Sequence, residues 1–397
     1  DDRDRTYVLV RKPAEIMRET EARFLRALPR AGELSRFPSV RRDLAFLLEK
    51  KTGYSVLSIG RGKSATGAGQ FVGFYDGNPR FERNWDLSAT EVAVIGVGNV
   101  GLDVSRILAK TGDELKVTEI PDNVYDSLAQ NQAETVRVFG RRGPAQAKFT
   151  PQELKELDHS ESINVVVSPE DIDYDEASLA ARQESKSTDL VCQVLEQYAI
   201  RDPKKAPHTL QIHLFEQPVE ILGKDGKVCG IKTERTALNG DGSVHGTGKF
   251  TEWPAQAVYF ATGYRSDAVD GVPFNQDKNV INNDGGHVID AAGAVVPGLY
   301  TTGWIKRGPV GLIGNTKSDA TETIGMLLAD AASGTLPSPS SAADITEVFA
   351  ERGIDYLTWQ DWQRLDAAER ALGEREGRER KKFVEWEDMV SHSRAEV

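Results

Sequence analysis

Cysteine is almost missing from this chain. Its 397 residues include two, Cys192 and Cys229, far apart and in unrelated contexts. No Cys-x-x-Cys occurs, so dithiol redox chemistry is excluded as the working chemistry, and both thiols read as structural. Histidine is also scarce. The six residues His159, His208, His213, His245, His287 and His392 show no ligand spacing, so neither a metal centre nor a histidine-based triad is expected. No apolar run approaches the length of a membrane span and no signal peptide is visible, which predicts a cytoplasmic protein with no membrane partner. The net charge of −12 argues against nucleic acid as a partner. That charge is uneven: residues 1–66 carry a net +6 and the rest −18. The basic stretch has no interleaved aromatics, so it reads as a solvated face, a partner-binding arm or a segment of different origin.

Among what is present, one block dominates. Val92 to Ile95 is a short buried strand that enters Gly96-x-Gly98-x-x-Gly101, and a helical pattern follows in Leu102, Val104, Ile107 and Leu108. In this strand–turn–helix context the first glycine permits the tight turn. The second lets the backbone approach a pyrophosphate, and the third lets helix pack on strand. Free N–H groups at the helix start then face the phosphates. A second strand, Thr135 to Phe139, ends in Gly140-Arg141-Arg142-Gly143. An NAD protein usually keeps a carboxylate there for the adenosine 2′-hydroxyl. Two arginines instead suit a 2′-phosphate, so the expected cofactor is NADP(H). Residues 111–130 read as an inserted loop and short helix on the crossover.

Elsewhere, Tyr7 to Val10 and Gly53 to Gly60 read as strands, residues 14–29 as a helix, Leu44 to Leu48 as an apolar cluster and Arg61 to Gln70 as a loop. Thr150-Pro151-x-Glu153 has the form of a capping box. Residues 162–167 read as a strand and 175–199 as mostly helical. Strands at 209–215, 218–222 and 227–235 suggest an antiparallel excursion. Gln256 to Thr262 is a buried strand, Gly298 to Thr302 another, and a helix is expected from about Lys317 to Ala331. A Ser/Pro-rich linker at 333–341 precedes a charged helical tail at 342–397.

From about Gly69 onward the chain resembles ferredoxin–NADP+ reductases of the adrenodoxin-reductase type, particularly actinobacterial ones. The blocks that carry the resemblance are Phe71 to Tyr75, Val94 to Asp103, Gly140 to Thr150, Gly263-Tyr-Arg265 and Gly303 to Pro309 through Gly314. The resemblance implies an α/β fold of two dinucleotide-binding domains, with an NADP-binding Rossmann-like domain inserted in an incomplete FAD-binding Rossmann-like domain. It also implies NADP(H) and FAD as cofactors and ferredoxin or a similar iron–sulfur carrier as partner. Carried onto matching positions, Val97, Gly98, Asn99 and Val100 would lie along the NADP pyrophosphate, and Arg141 and Arg142 would hold the 2′-phosphate. Glu153 would touch the nucleotide, although a capping box alone would also explain it. Trp304, Gly311, Leu312 and Ile313 would line the flavin, with the following helix pointing its positive end toward the ring. Asp103 would stand near the nicotinamide and assist proton handling, its bland reading being a helix-surface carboxylate.

The family's N-terminal FAD fingerprint has no counterpart here, since no Gly-x-Gly occurs before Gly60. Residues 1–68 are therefore expected to be a remnant or replacement of the first FAD subdomain. Residues 69–262 would then be the NADP domain, 263–335 the C-terminal part of the FAD domain and 336–397 the linker and tail. The expected function is an NADPH-dependent flavoprotein reductase. The alternative is an NADP-binding module without its own flavin, inactive or dependent on a partner subunit.

Overall fold

A computed structural model describes residues 65–263, 266–308, 313–337 and 344–395. The strands, helix and apolar cluster expected before residue 61 lie outside these, as do Gly311 and Leu312. The chain divides into two compact units. The first holds described residues 65–262 and 358–395, and the second the described residues of 263–357.

The first unit is built on a six-stranded parallel sheet. Its strands are β1 (Ala65–Gly67), β2 (Glu91–Ile95), β3 (Thr135–Phe139), β4 (Ile163–Val167), β5 (His208–His213) and β9 (Ala257–Phe260), in the order β1-β9-β2-β3-β5-β4. Two expectations change here. Residues 65–70, read as loop from their small polar composition, form β1 and the start of helix α1 (Ala68–Tyr75). The strand at 208–213, read as part of an antiparallel excursion, sits inside the parallel sheet between β3 and β4. The excursion itself is β6 (Glu216–Lys224), β7 (Lys227–Leu238) and β8 (Val244–Pro254).

Alternation along the strands sorts the core. In β2, Val92 and Val94 join the larger cluster with Leu102, Val104, Leu108 and Leu195, beneath helices α2 (Asn99–Ala109) and α7 (Lys186–Ile200). Ala93 and Ile95 point the other way, with Phe139 and Phe260, onto Val228 and Ile231 of the excursion. The sheet is thus covered by helices on one face and by β6–β8 on the other. On the crossover from β2 to β3 the insertion folds as α3 (Gly112–Leu115) and α4 (Asp122–Leu128). Helices α5 (Pro151–Glu156) and α6 (Glu176–Glu184) precede α7.

The second unit carries a hairpin, β10 (Phe274–Asn275) with β11 (Val280–Ile281), and a three-stranded antiparallel sheet of β12 (Asn283–Asp284), β13 (His287–Ile289) and β14 (Val295–Tyr300). Helices α8 (Trp304–Arg307), α9 (Ile313–Ser333) and α10 (Ile345–Glu351) complete it. Helix α9 starts about a turn earlier than the sequence pattern suggests. The tail helices α11 (Trp359–Glu374) and α12 (Trp386–Arg394) belong to the first unit.

Candidate functional site

The candidate site lies at the carboxyl ends of β2 and β3, where open α/β sheets bind ligands. Each glycine of the fingerprint has a distinct reason. Gly96 has φ 128°, and a Cβ there would lie 2.2 Å from the carbonyl oxygen of Ala261. A Cβ on Gly101 would come within 2.4 Å of the Gly96 carbonyl oxygen, so this glycine permits helix α2 to rest on the turn. Gly98 differs: a Cβ there would meet nothing within 4 Å. The side on which its Cβ would project is open, and an open side at the second glycine is what lets a phosphate approach the backbone. Gly98 caps α2 with no side-chain cap, so the N–H groups of the first turn keep the positive end of the helix available.

The loop after β3 lies alongside this turn. Lys148 N donates to the Val97 carbonyl at 2.8 Å, and Thr150 N donates to Asn99 Oδ1 at 2.8 Å. Asn99, the first residue of α2, therefore ties the fingerprint to the start of α5. The capping box takes another form from the one expected. Thr150 occupies the cap and Pro151 the first helical position, yet the Thr150 hydroxyl donates to the Glu153 carboxylate and no side chain caps the helix. The Thr150 N–H that a capping carboxylate would take is already held by Asn99. A capping role therefore does not account for Glu153, which is half-buried beside the turn.

Arg141 is exposed and Arg142 half-buried. Among the described residues neither guanidinium has an acceptor. Burial, and next the charge of Arg141, pushes the Arg142 guanidinium below its ordinary value. Two adjacent cations with no counter-ion among the described residues are an arrangement whose planar forks suit a phosphate. Asp103 pairs with Arg106 on α2 at 2.7 Å. Among the described residues no group of three or more His, Cys, Asp or Glu could hold a metal.

In the second unit, Trp304 opens α8 after Gly303, whose φ is 78°, and is 40% exposed. The turn beneath it is clamped. Asp319 of α9 accepts from Gly303 N at 2.5 Å and Thr302 Oγ1 at 3.0 Å, and it pairs with buried Lys306 at 3.2 Å. These hydrogen bonds hold the Asp319 carboxyl below its usual range despite burial, the largest single influence, which acts upward. Ile313 begins α9. The sequence pattern pointed to the tryptophan and carried no sign of the aspartate, sixteen residues after Gly303, that holds the turn.

Comparison with known proteins agrees with this geometry. The chain is 38% identical over 333 residues to the NADPH-ferredoxin reductase FprA of Mycobacterium tuberculosis, covering 81% of this chain and 71% of that protein. It is 35% identical over 342 residues to human mitochondrial NADPH:adrenodoxin oxidoreductase, covering 81% and 67%. The structure of M. tuberculosis FprA in complex with NADPH superposes with a TM-score of 0.72 at 35% identity, over 83% of this chain and 73% of that one. No protein-family model matches. With a Gly96-x-Gly98-x-x-Gly101 turn between strand and helix, an arginine pair after the next strand and this degree of identity, the chain belongs to the NADPH-ferredoxin and adrenodoxin reductase family.

Proposed function

We propose that this protein is an NADPH-dependent flavoprotein reductase that passes electrons between NADPH and a ferredoxin-like iron–sulfur carrier through FAD. The observation that carries the reading is the open side of Gly98 and the uncapped start of α2, set in one unit with two arginines that find no acceptor among the described residues. In this reading Val97, Gly98, Asn99 and Val100 run along the pyrophosphate, with α2 directing its N–H groups at the phosphates. Arg141 and Arg142 clamp the 2′-phosphate, and Glu153 borders the nucleotide. Asp103 handles a proton near the nicotinamide, a role supported by the family resemblance; its partner here is Arg106.

In the second unit Trp304, Gly311, Leu312 and Ile313 line the flavin. Trp304 fits such a role as a partly open aromatic face on a rigid turn. The chemistry that FAD supplies when bound is the exchange between a two-electron hydride donor and one-electron carriers. The chain contributes binding, orientation and exclusion of water. Residues 69–262 then form the NADP domain and 263–335 the C-terminal part of the FAD domain, with 336–397 as linker and tail and 1–68 as remnant or replacement of the first FAD subdomain. The break between units at Thr262–Gly263 supports the first boundary. Among the described residues no helix is long and apolar enough to cross a membrane. The sparse cysteines fit a reducing compartment, and we assign the protein to the cytoplasm.

The test is an absorption spectrum of the purified chain between roughly 300 and 550 nm, where protein-bound flavin absorbs. It is recorded alone, after FAD and after NADPH. Flavin bands that bleach with NADPH are the expected result. A spectrum that FAD leaves blank, together with intact NADPH binding, would establish the flavin-free nucleotide-binding module instead.

A further inference from the structure

We propose that Thr236 is a positioning residue for nucleotide choice. Together with the Phe215 corner it holds residues 140–143 in the conformation that presents Arg141 and Arg142 as a pair, and it thereby sets the preference for NADPH over NADH. The inference rests on the 2′-phosphate role proposed above for the two arginines.

Nearly every backbone anchor of this loop comes from one distant place. Gly140 N donates to the His213 carbonyl at 2.8 Å, and Glu216 N donates to the Gly140 carbonyl at 2.9 Å. Phe215 N donates to the Arg142 carbonyl at 3.2 Å. The carbonyl of Arg141 is taken by a side chain, the Thr236 hydroxyl, at 2.7 Å. Thr236 is 3% exposed and lies on β7, and its own N–H donates to the Phe215 carbonyl at 2.8 Å. One residue therefore ties the arginine loop to the corner that supports it.

The corner is built to stay where it is. Phe215 has φ 57°, a left-handed conformation that a bulky residue adopts only when its surroundings enforce it. Its ring closes on Gly143, where a Cβ would lie 2.4 Å from the ring tip. Arg235 lies over the same ring at 5.5 Å from the centroid, pairs with buried Asp171, and donates to the carbonyls of Leu214 at 3.2 Å and Glu170 at 2.7 Å. Asp171 in turn accepts from Leu214 N at 3.1 Å.

A clamp of this kind has work to do because adjacent guanidinium groups repel each other. Among the described residues no acid lies between them, so the side chains of Arg141 and Arg142 separate unless the backbone prevents it. Binding a divalent 2′-phosphate needs both forks at once, and a loop held in place gives up less entropy on binding. The 2′-hydroxyl of NADH offers those forks no charge, so a loosened loop costs NADPH affinity and leaves NADH affinity unchanged.

The experiment titrates NADPH and NADH separately into the full chain and three variants: Thr236→Val, which removes the hydroxyl at constant shape, Thr236→Ser, which retains it, and Arg141→Ala/Arg142→Ala. Thr236→Val should weaken NADPH roughly three- to tenfold, the range of one lost hydrogen bond, with NADH unmoved. Thr236→Ser should restore the wild-type ratio. If the double arginine variant keeps the preference for NADPH, the 2′-phosphate role itself falls. If the double variant abolishes the preference but Thr236→Val leaves the ratio at its wild-type value, the positioning role is overturned. Equal losses for both nucleotides overturn it as well, because they report general loosening. Thr236→Ala makes the same hydroxyl deletion should the valine variant not fold.

Discussion

Single glycines in the fingerprint turn separate folding from binding. At Gly98 the backbone is extended, with φ −120° and ψ 174°, and a methyl group would meet nothing within 4 Å among the described residues. Gly98→Ala should therefore leave stability unchanged or raise it by ~0.5 kcal/mol through the unfolded chain. On the proposed pyrophosphate path the same methyl would stand where the phosphates pass, so NADPH affinity should drop by about tenfold or more. Gly101→Ala should behave in the opposite way. Its Cβ would press on the Gly96 carbonyl, a backbone atom that cannot yield, at a cost of about 2–3 kcal/mol. Chemical denaturation of both variants, with nucleotide titration of whatever folds, checks the pair. If Gly98→Ala bound NADPH as well as wild type, Gly98 would have no place on the pyrophosphate path.

At the scale of elements, two ionisable groups beside the turn from β5 to β6 respond to pH in opposite directions: His213 at the end of β5, and Asp171, which follows β4 and accepts from Leu214 N. Burial, and next Arg137 and Arg235, pushes His213 down to about 4, and its ring stacks on Phe139 at 5.3 Å between centroids and meets Trp253 tilted at 4.4 Å. Burial pushes Asp171 up to about 6, with Arg235 opposing. Between about pH 4 and 6 the folded chain leaves His213 neutral where the unfolded chain would protonate it, so this group makes stability rise with pH. Over the same window the folded chain keeps Asp171 protonated where the unfolded chain would ionise it, so this group makes stability fall with pH. The two nearly cancel. His213→Gln removes one side of the balance. The difference in stability between wild type and variant should therefore grow by about 3 kcal/mol in favour of wild type from pH 4 to pH 6.5. Denaturant midpoints across that range measure it, and a difference that does not vary with pH would show that His213 is not held neutral.

For the whole first unit, the C-terminal tail acts as a structural strap. The Arg378 guanidinium is buried and donates to the carbonyls of Lys116, Thr118 and Ile120, at 3.3, 3.3 and 2.8 Å, while pairing with Glu376 at 2.6 Å. Lys381 pairs with Asp122, and Lys382 with Asp76. The insertion after β2 and the tail thus complete one another. Arg378→Ala should cost about 3 kcal/mol, since it strands buried acceptors. Arg83→Ala, which opens the more exposed pair with Glu385, should cost under ~1 kcal/mol. Thermal unfolding of the two variants compares them directly, and equal small shifts would mean that the tail is not held by Arg378.

Local pattern by itself determined a good part of this molecule. The strands at 91–95, 135–139 and 163–167, the helices near 176–200 and those of the tail were all legible. So was the fingerprint turn, because strand periodicity, glycine spacing and helix amphipathicity are properties of adjacent residues. Strand β8 was not legible: almost all of it is exposed, so burial imposes no alternation on its sequence. Nor could sequence say that β5 pairs in parallel inside the main sheet, since a strand's composition does not name its neighbours. The arginine pair could be read from its motif, whereas its supports could not. Thr236 lies 95 residues from Arg141, Asn99 lies 51 residues from Thr150, and the capping box gave way once Asn99 took its N–H. Only the tertiary structure decided these contacts, because a hydrogen bond between distant residues leaves no periodic trace in the chain that makes it.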